Sequence, residues 1–265
     1  MAAPLSHAAR SAWHTLSAAC AFLWPAPCLV CGRPLKAGVL CRRCLPKAED
    51  LFNQPRCALC FSAAANLDAS QRCELCRMIP PVFNQIRYLW LYREDARDLI
   101  ACMKYRPSPK LCKAAASMLA ETLYAIYPFP DWDLIVPLPS SRRSERERCF
   151  NQCLVLARAL QAKLSESHPT RLDTFALRHQ GCKHAQASLD HSRRISNVKG
   201  AFCADPVKVR GARILLVDDV ITSGATSATA AVALLEAGAA AVDLIALAKA
   251  AVWDQRRHDI YKGVR

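Results

Sequence analysis

Two kinds of reactive side chain stand at spacings that chance rarely produces. The first is a set of paired thiols. Cys28 and Cys31, Cys41 and Cys44, Cys57 and Cys60, and Cys73 and Cys76 form four CxxC pairs within residues 28 to 76. The second is a pair of adjacent carboxylates, Asp218 and Asp219, followed by a hydroxyl-rich loop in the stretch ILLVDDVITSGAT, residues 214–226. The thiols suit metal chemistry. A CxxC turn places two thiolates on one side of an ion, and two turns complete a tetrahedral site. Eight such Cys predict two Zn2+ ions, held either by sequential pairs or by interleaved ones. A closed all-thiolate site has no open coordination position, so its role is structural. Redox work would need only one reactive pair.

The carboxylates suit a polyol beside an anion. The stretch reads as a buried strand that ends on the acidic pair at the carboxyl edge of a sheet, where α/β folds hold ligands. Thr222, Ser223, Gly224, Ala225 and Thr226 then lead straight into a helix. Backbone N–H groups at a helix N-terminus make a phosphate cradle, to which hydroxyls add donors. Gly224 lets the backbone come close. Two carboxylates would repel a lone phosphate, but they accept hydrogen bonds from a vicinal diol. A ribose 5-phosphate has both ends. A phospho-acceptor receiver domain also ends a strand on an acidic pair, but needs roughly a hundred residues after it. Only 39 residues follow Thr226.

The flanking sequence supplies elements to hold these groups. IRYLWLY (86–92) alternates like a strand. Residues 95–105, 109–126 and 150–164 have helical spacing, the second with Pro109 in its first turn. Residues 133–139, 212–217 and 241–249 read as strands, and 226–238 as a helix closed by Gly238. Alternating strands and helices predict an α/β fold with a parallel sheet flanked by helices. The chain divides into an N-terminal amphipathic helix (1–24), a loop-rich double zinc ribbon (25–80) and an α/β domain (83–265). Pro80 and Pro81 mark the linker.

The 265 residues carry a formal charge of +14 and 15 Cys. Such a charge favours an anionic partner. Arg33, Lys36, Arg42, Arg43 and Lys47 cluster around the first ribbon and could face nucleic acid, although a short basic cluster is more often a solvated face. Ser17 to Cys20 resembles a lipoprotein cleavage site, but Trp13, His14 and Thr15 interrupt the apolar core. No stretch reaches transmembrane length, and the compartment expected is the cytoplasm. No nucleophile elbow supports Ser/His/Asp hydrolysis.

ILLVDDVITSGAT resembles the phosphoribosyl-pyrophosphate motif of type I phosphoribosyltransferases. The resemblance implies that Asp218 and Asp219 are the catalytic-type residues on the ribose hydroxyls. It also implies that Val220, Ile221, Thr222, Ser223, Gly224, Ala225 and Thr226 form the 5-phosphate segment. Three further stretches are similar to the ComF family of competence and DNA-utilization proteins. IVPLPSSRRSERERCFNQ (135–152) resembles that family's VPxP, basic stretch and GFNQ. Arg143 and Arg148 fall where the family has Arg, and imply a pyrophosphate site; Cys149 replaces a Gly. LRHQGCKHAQASLDHSRRISNVKGAF (177–202) matches the segment that carries a mobile hood loop, with Lys183, His184, Arg193 and Arg194 as candidates to close over pyrophosphate. The tandem CxxC module and LIACMKYR (99–106) match as well, so the likeness runs from about Cys28 to Lys249. It implies phosphoribosyl pyrophosphate bound with Mg2+, pentosyl transfer to an unidentified acceptor, and a link to DNA uptake or use, with single-stranded DNA or DNA-uptake proteins as partners. The alternative is a non-catalytic nucleic-acid-handling or ligand-sensing protein with a relic phosphoribosyl site.

Overall fold

The computed structural model describes residues 26–46, 54–105, 108–126, 132–140, 151–164, 169–179 and 201–250. The expected N-terminal helix lies outside them. Its elements in chain order are α1 (Glu74–Met78), β1 (Gln85–Leu91), α2 (Glu94–Tyr105), α3 (Pro109–Ile126), β2 (Leu134–Pro137), α4 (Gln152–Leu164), β3 (Arg171–Leu172), β4 (Leu177–His179), β5 (Phe202–Ala204), α5 (Pro206–Val209), β6 (Arg213–Ile221), α6 (Ala225–Glu236) and β7 (Ala241–Lys249).

Five strands form one sheet in the order β1-β7-β6-β2-β3, and every pair is parallel. β4 and β5 pair separately, antiparallel. The central strands are apolar along their whole length because both faces are covered. Side chains alternate between two cores. Leu134, Val136, Ile214, Leu216, Leu244 and Ala246 pack with Ala228, Ala231 and Leu234 of α6. Ile135, Leu215, Val217, Ile245 and Leu247 pack with Leu99 and Met103 of α2, Leu119 of α3 and Leu156 and Leu160 of α4. The expected class, a parallel sheet flanked by helices with a small Cys-rich N-terminal module, is the one observed.

The sheet changes direction between β2 and β6. From β6 the chain moves to β7 on one side, and from β2 to β3 on the other. Ligand sites of open α/β sheets sit outside the strand carboxyl ends at such a reversal. β2 stops at Pro137 opposite Val217, whereas β6 runs four residues further, to Ile221 opposite Lys249. This corrects the expected strand end at Val217. Backbone pairing with β7 carries β6 through the acidic pair instead of stopping before it.

The cysteine module packs on both cores. The first knuckle rests Leu29, Val30 and Leu40 against the core beneath α2. The second is buried in the core beneath α6, and its Leu59 carbonyl accepts from the Ile86 N–H of β1 at 2.7 Å. The knuckle thus covers the outer edge of the sheet, which would otherwise present backbone groups to other chains.

Candidate functional site

The metal module resolves the pairing left open by spacing. Cys28, Cys31, Cys41 and Cys44 bring one Sγ each within 4.8 Å of one another, and so do Cys57, Cys60, Cys73 and Cys76. The pairing is sequential. Both are donor sets that could hold Zn2+, since four clustered thiol sulfurs match its tetrahedral preference. The two knuckles share a turn. Gly32 follows Cys31 with φ +74°, and Phe61 follows Cys60 with φ +60°. Gly32 N–H donates to Cys28 O, and Phe61 N–H to Cys57 O. A bulky residue in this region is unusual. Phe61 is held there by the Tyr88 hydroxyl and Arg56, both donating to its carbonyl at 3.0 Å. The guanidinium groups of Arg56 and Arg87 each lie 5.0 Å from its ring. Buried Lys249, at the end of β7, donates to Ser62 and ties this knuckle to the sheet.

The second site is built by β6 and α6. Because neighbouring strand residues face opposite ways, the two carboxylates part. Asp218 follows the alternation toward α6. It is buried, and its Oδ2 accepts from Ser227 Oγ at 2.9 Å. Its Oδ1 accepts from the Asp219 N–H at 2.8 Å and from the Cys153 thiol at 3.7 Å. Burial, then the charge of Asp219, push its pKa up to about 7. Asp219 follows the alternation toward α2 and forms an ion pair of 3.0 Å with Lys104. Burial, then the nearby Asp218 and Asp219, raise the Cys153 thiol well above its usual range, so it stays a neutral donor.

After Ile221 the chain turns through Thr222 and Ser223 to Gly224, the N-cap of α6, at φ +77°. The Ser223 hydroxyl accepts from Ala225 N–H at 3.5 Å. The first helical amides lack intrahelical carbonyls, and Thr222 and Thr226 at this end of the helix are exposed. Val220 and Ile221, in contrast, are buried strand residues. Only their backbone is available to a ligand. Arg143 and Arg148 lie outside the described residues, as do Lys183, His184, Arg193 and Arg194. β2 reaches this same edge at Pro137. Just beyond it, Leu138 O accepts from Asn151 Nδ2 at 3.1 Å, and Asn151 Oδ1 accepts from Leu154 N–H.

Three residues went unassigned in sequence. Lys104 and Cys153 reach the acidic pair from distant helices, which no local spacing reports. Ser227 stands three residues after the helix-starting Gly224, a position that a buried carboxylate could have flagged.

No family model matches the chain. It is 26% identical over 214 residues to competence protein ComFC of Bacillus subtilis, covering 81% of this chain and 73% of that protein. It is 28% identical over 237 residues to DNA utilization protein YhgH of Escherichia coli K12, covering 85% and 97%. Among solved structures, a glutamine phosphoribosylpyrophosphate amidotransferase from B. subtilis superimposes with a TM-score of 0.38 at 18% identity, over 57% of this chain. The chain spans about 30% of that protein's length.

Proposed function

Because the chain belongs to the ComF family of competence and DNA-utilization proteins, we propose that it binds phosphoribosyl pyrophosphate with Mg2+ at the β6–α6 edge. One observation carries this reading: the open N-terminus of α6 behind Gly224 adjoins Asp219 at the point where the sheet reverses direction. The amides of residues 224–227 and the hydroxyls of Thr222, Ser223 and Thr226 would take the 5-phosphate. Asp219, partly open, would accept from the ribose hydroxyls. Asp218 would position the strand end, since its oxygens already receive three internal donors.

Asp219 is a hard oxygen donor of the kind Mg2+ takes, usually alongside substrate phosphates; the Cys153 thiol is not. Mg2+ bound with the ligand would neutralise part of the pyrophosphate charge. Arg143 and Arg148 would hold the leaving pyrophosphate. The reaction class is pentosyl transfer: C1 of the ribose would bond to a nitrogen of an acceptor still to be found while its bond to pyrophosphate breaks and pyrophosphate leaves. The names of the relatives support a role in DNA uptake or use, and the +14 charge suits a nucleic-acid partner. The two four-thiol clusters would hold structural zinc. Among the described residues no helix is long and apolar enough to cross a membrane.

The test is calorimetric titration of phosphoribosyl pyrophosphate and Mg2+ into the zinc-loaded chain and its Asp219→Asn and Asp218→Asn variants. The reading expects binding by the first, loss of at least tenfold in Asp219→Asn, and a change within a few fold in Asp218→Asn. No binding by the folded parent chain overturns it. The non-catalytic alternative is favoured if the parent chain binds yet no nitrogen acceptor releases pyrophosphate.

A further inference from the structure

A cavity of about 640 Å³ opens between the first cysteine knuckle and α2, apart from the β6–α6 edge. The knuckle contributes Val30, Arg33, Arg43 and two thiols of the first metal cluster, Cys31 and Cys44, and α2 contributes Asp98, Ala101, Cys102 and Tyr105. Those four helical positions follow the i, i+3, i+4, i+7 spacing of one helix face. Lys104, next to Tyr105, pairs with Asp219 instead. Volumes of 300–1,000 Å³ suit one small organic ligand.

The lining has the parts that a nucleotide needs. Two guanidinium groups match phosphate oxygens bidentately. Tyr105 is 71% exposed, and an open aromatic residue is a stacking surface for a base. Asp98 accepts hydrogen bonds, which suits a base carrying an exocyclic amine. The two guanidinium groups are the cations of the lining, set against Asp98 and the sulfurs of Cys31 and Cys44. An apolar ligand would waste the three charges, and a bare phosphate would leave Tyr105 and Asp98 without a role.

We propose that this cavity is a nucleotide site, with phosphate on Arg33 and Arg43, the base on Tyr105 and its amine on Asp98. The chemistry is that of one nucleotide unit, whether free or part of a single strand. The site is distinct from the proposed phosphoribosyl pyrophosphate site, since its lining includes neither Asp218, Asp219 nor their partner Lys104.

The test titrates dAMP, dTMP and fluorescein-labelled (dA)6 into the zinc-loaded full chain, with Tyr105→Ala and Arg33→Gln/Arg43→Gln as variants. Zinc content confirms that each variant is folded. Binding of dAMP, tighter than dTMP and weakened about tenfold by Tyr105→Ala, supports a site for free nucleotides. Binding of (dA)6 alone, with the same loss, supports a site for one unit of a strand. In that case the double Arg variant should flatten the salt slope by about one to one and a half. Parent-like binding by both variants overturns the proposal, as does absence of binding to any of the three probes. Loss in Asp219→Asn with retention in Tyr105→Ala also overturns it, because the nucleotide would then occupy the other site. Phosphoribosyl pyrophosphate binding should persist in both cavity variants, which separates failure here from failure there.

Discussion

Asp218→Asn should make the protein more stable at alkaline pH. Asp218 is buried, and burial lifts its pKa to about 7, from an ordinary value near 4. The native state therefore holds a proton there that the unfolded chain has already released. Where the native state binds more protons, stability falls as pH rises. The fall starts near pH 4 and is complete just above pH 7. Each pH unit inside that window costs about 1.4 kcal/mol. Asn cannot ionise, so its advantage over Asp should grow by roughly 2 kcal/mol between pH 5.5 and pH 8. The geometry tolerates the change. The Asn carbonyl can take the Oδ1 place, accepting from Asp219 N–H and Cys153, and its amide can donate to the Ser227 hydroxyl. Urea unfolding followed by circular dichroism, with zinc present at both pH values, measures the difference directly. Thiolate and zinc titrations are shared by the two proteins and cancel. A difference that stays flat with pH, or an Asn variant weaker than the parent at pH 8, would refute a buried, proton-holding Asp218.

Other substitutions probe the remaining contacts. Lys104→Met removes the cation 3.0 Å from Asp219; phosphoribosyl pyrophosphate affinity should drop about tenfold, roughly 1.4 kcal/mol by calorimetry, and an unchanged constant would exclude Lys104 from the site. Cys57→Ser should leave one equivalent of zinc and lower the melting temperature by more than ten degrees or so, because all four thiols of that cluster are buried in a core shared with the sheet. Cys31→Ser, at an exposed thiol, should also lose one equivalent but with a much smaller shift. Gly224→Ala places a side chain at φ +77° and should destabilise by about 1 kcal/mol in urea, with weaker binding of any phosphate at the α6 N-terminus.

Much of this architecture is readable from local pattern. Residues 109–126 and 241–249 appear as the helix and strand that their spacing predicts, because each has a strong period and clear boundaries. The strand holding the acidic pair is longer than its apolar run. Polarity suggests a stop at Val217, but hydrogen bonding to β7 overrides it as far as Ile221. That extension matters chemically, since it divides Asp218 and Asp219 between two faces where sequence suggests a single paired acceptor. Spacing finds the eight thiols but not their grouping, which is set by how each knuckle docks. Lys104 and Cys153 come from 115 and 66 positions before Asp219, and proximity of that kind is a product of the fold alone. The cavity under the first knuckle is similar: Arg33 and Arg43 read as surface charge until α2 is placed beside them.

The placement of β1 bears on how the chain assembles during synthesis. Its strand partner among the described residues is β7, the last strand of the sheet, with Gln85 opposite Asp243. A ribosome adding about 5–20 residues each second needs some ten to thirty seconds to make the intervening chain. Through that interval β1 can have no strand beside it on the β7 side. The second cysteine knuckle, already translated, can hold Ile86 through Leu59 from the other side. Once metallated, it would cap the outer edge of β1 and leave only the β7 side of the strand to be filled. Zinc supply during translation should then decide whether β1 waits for β7 with one open edge or with two.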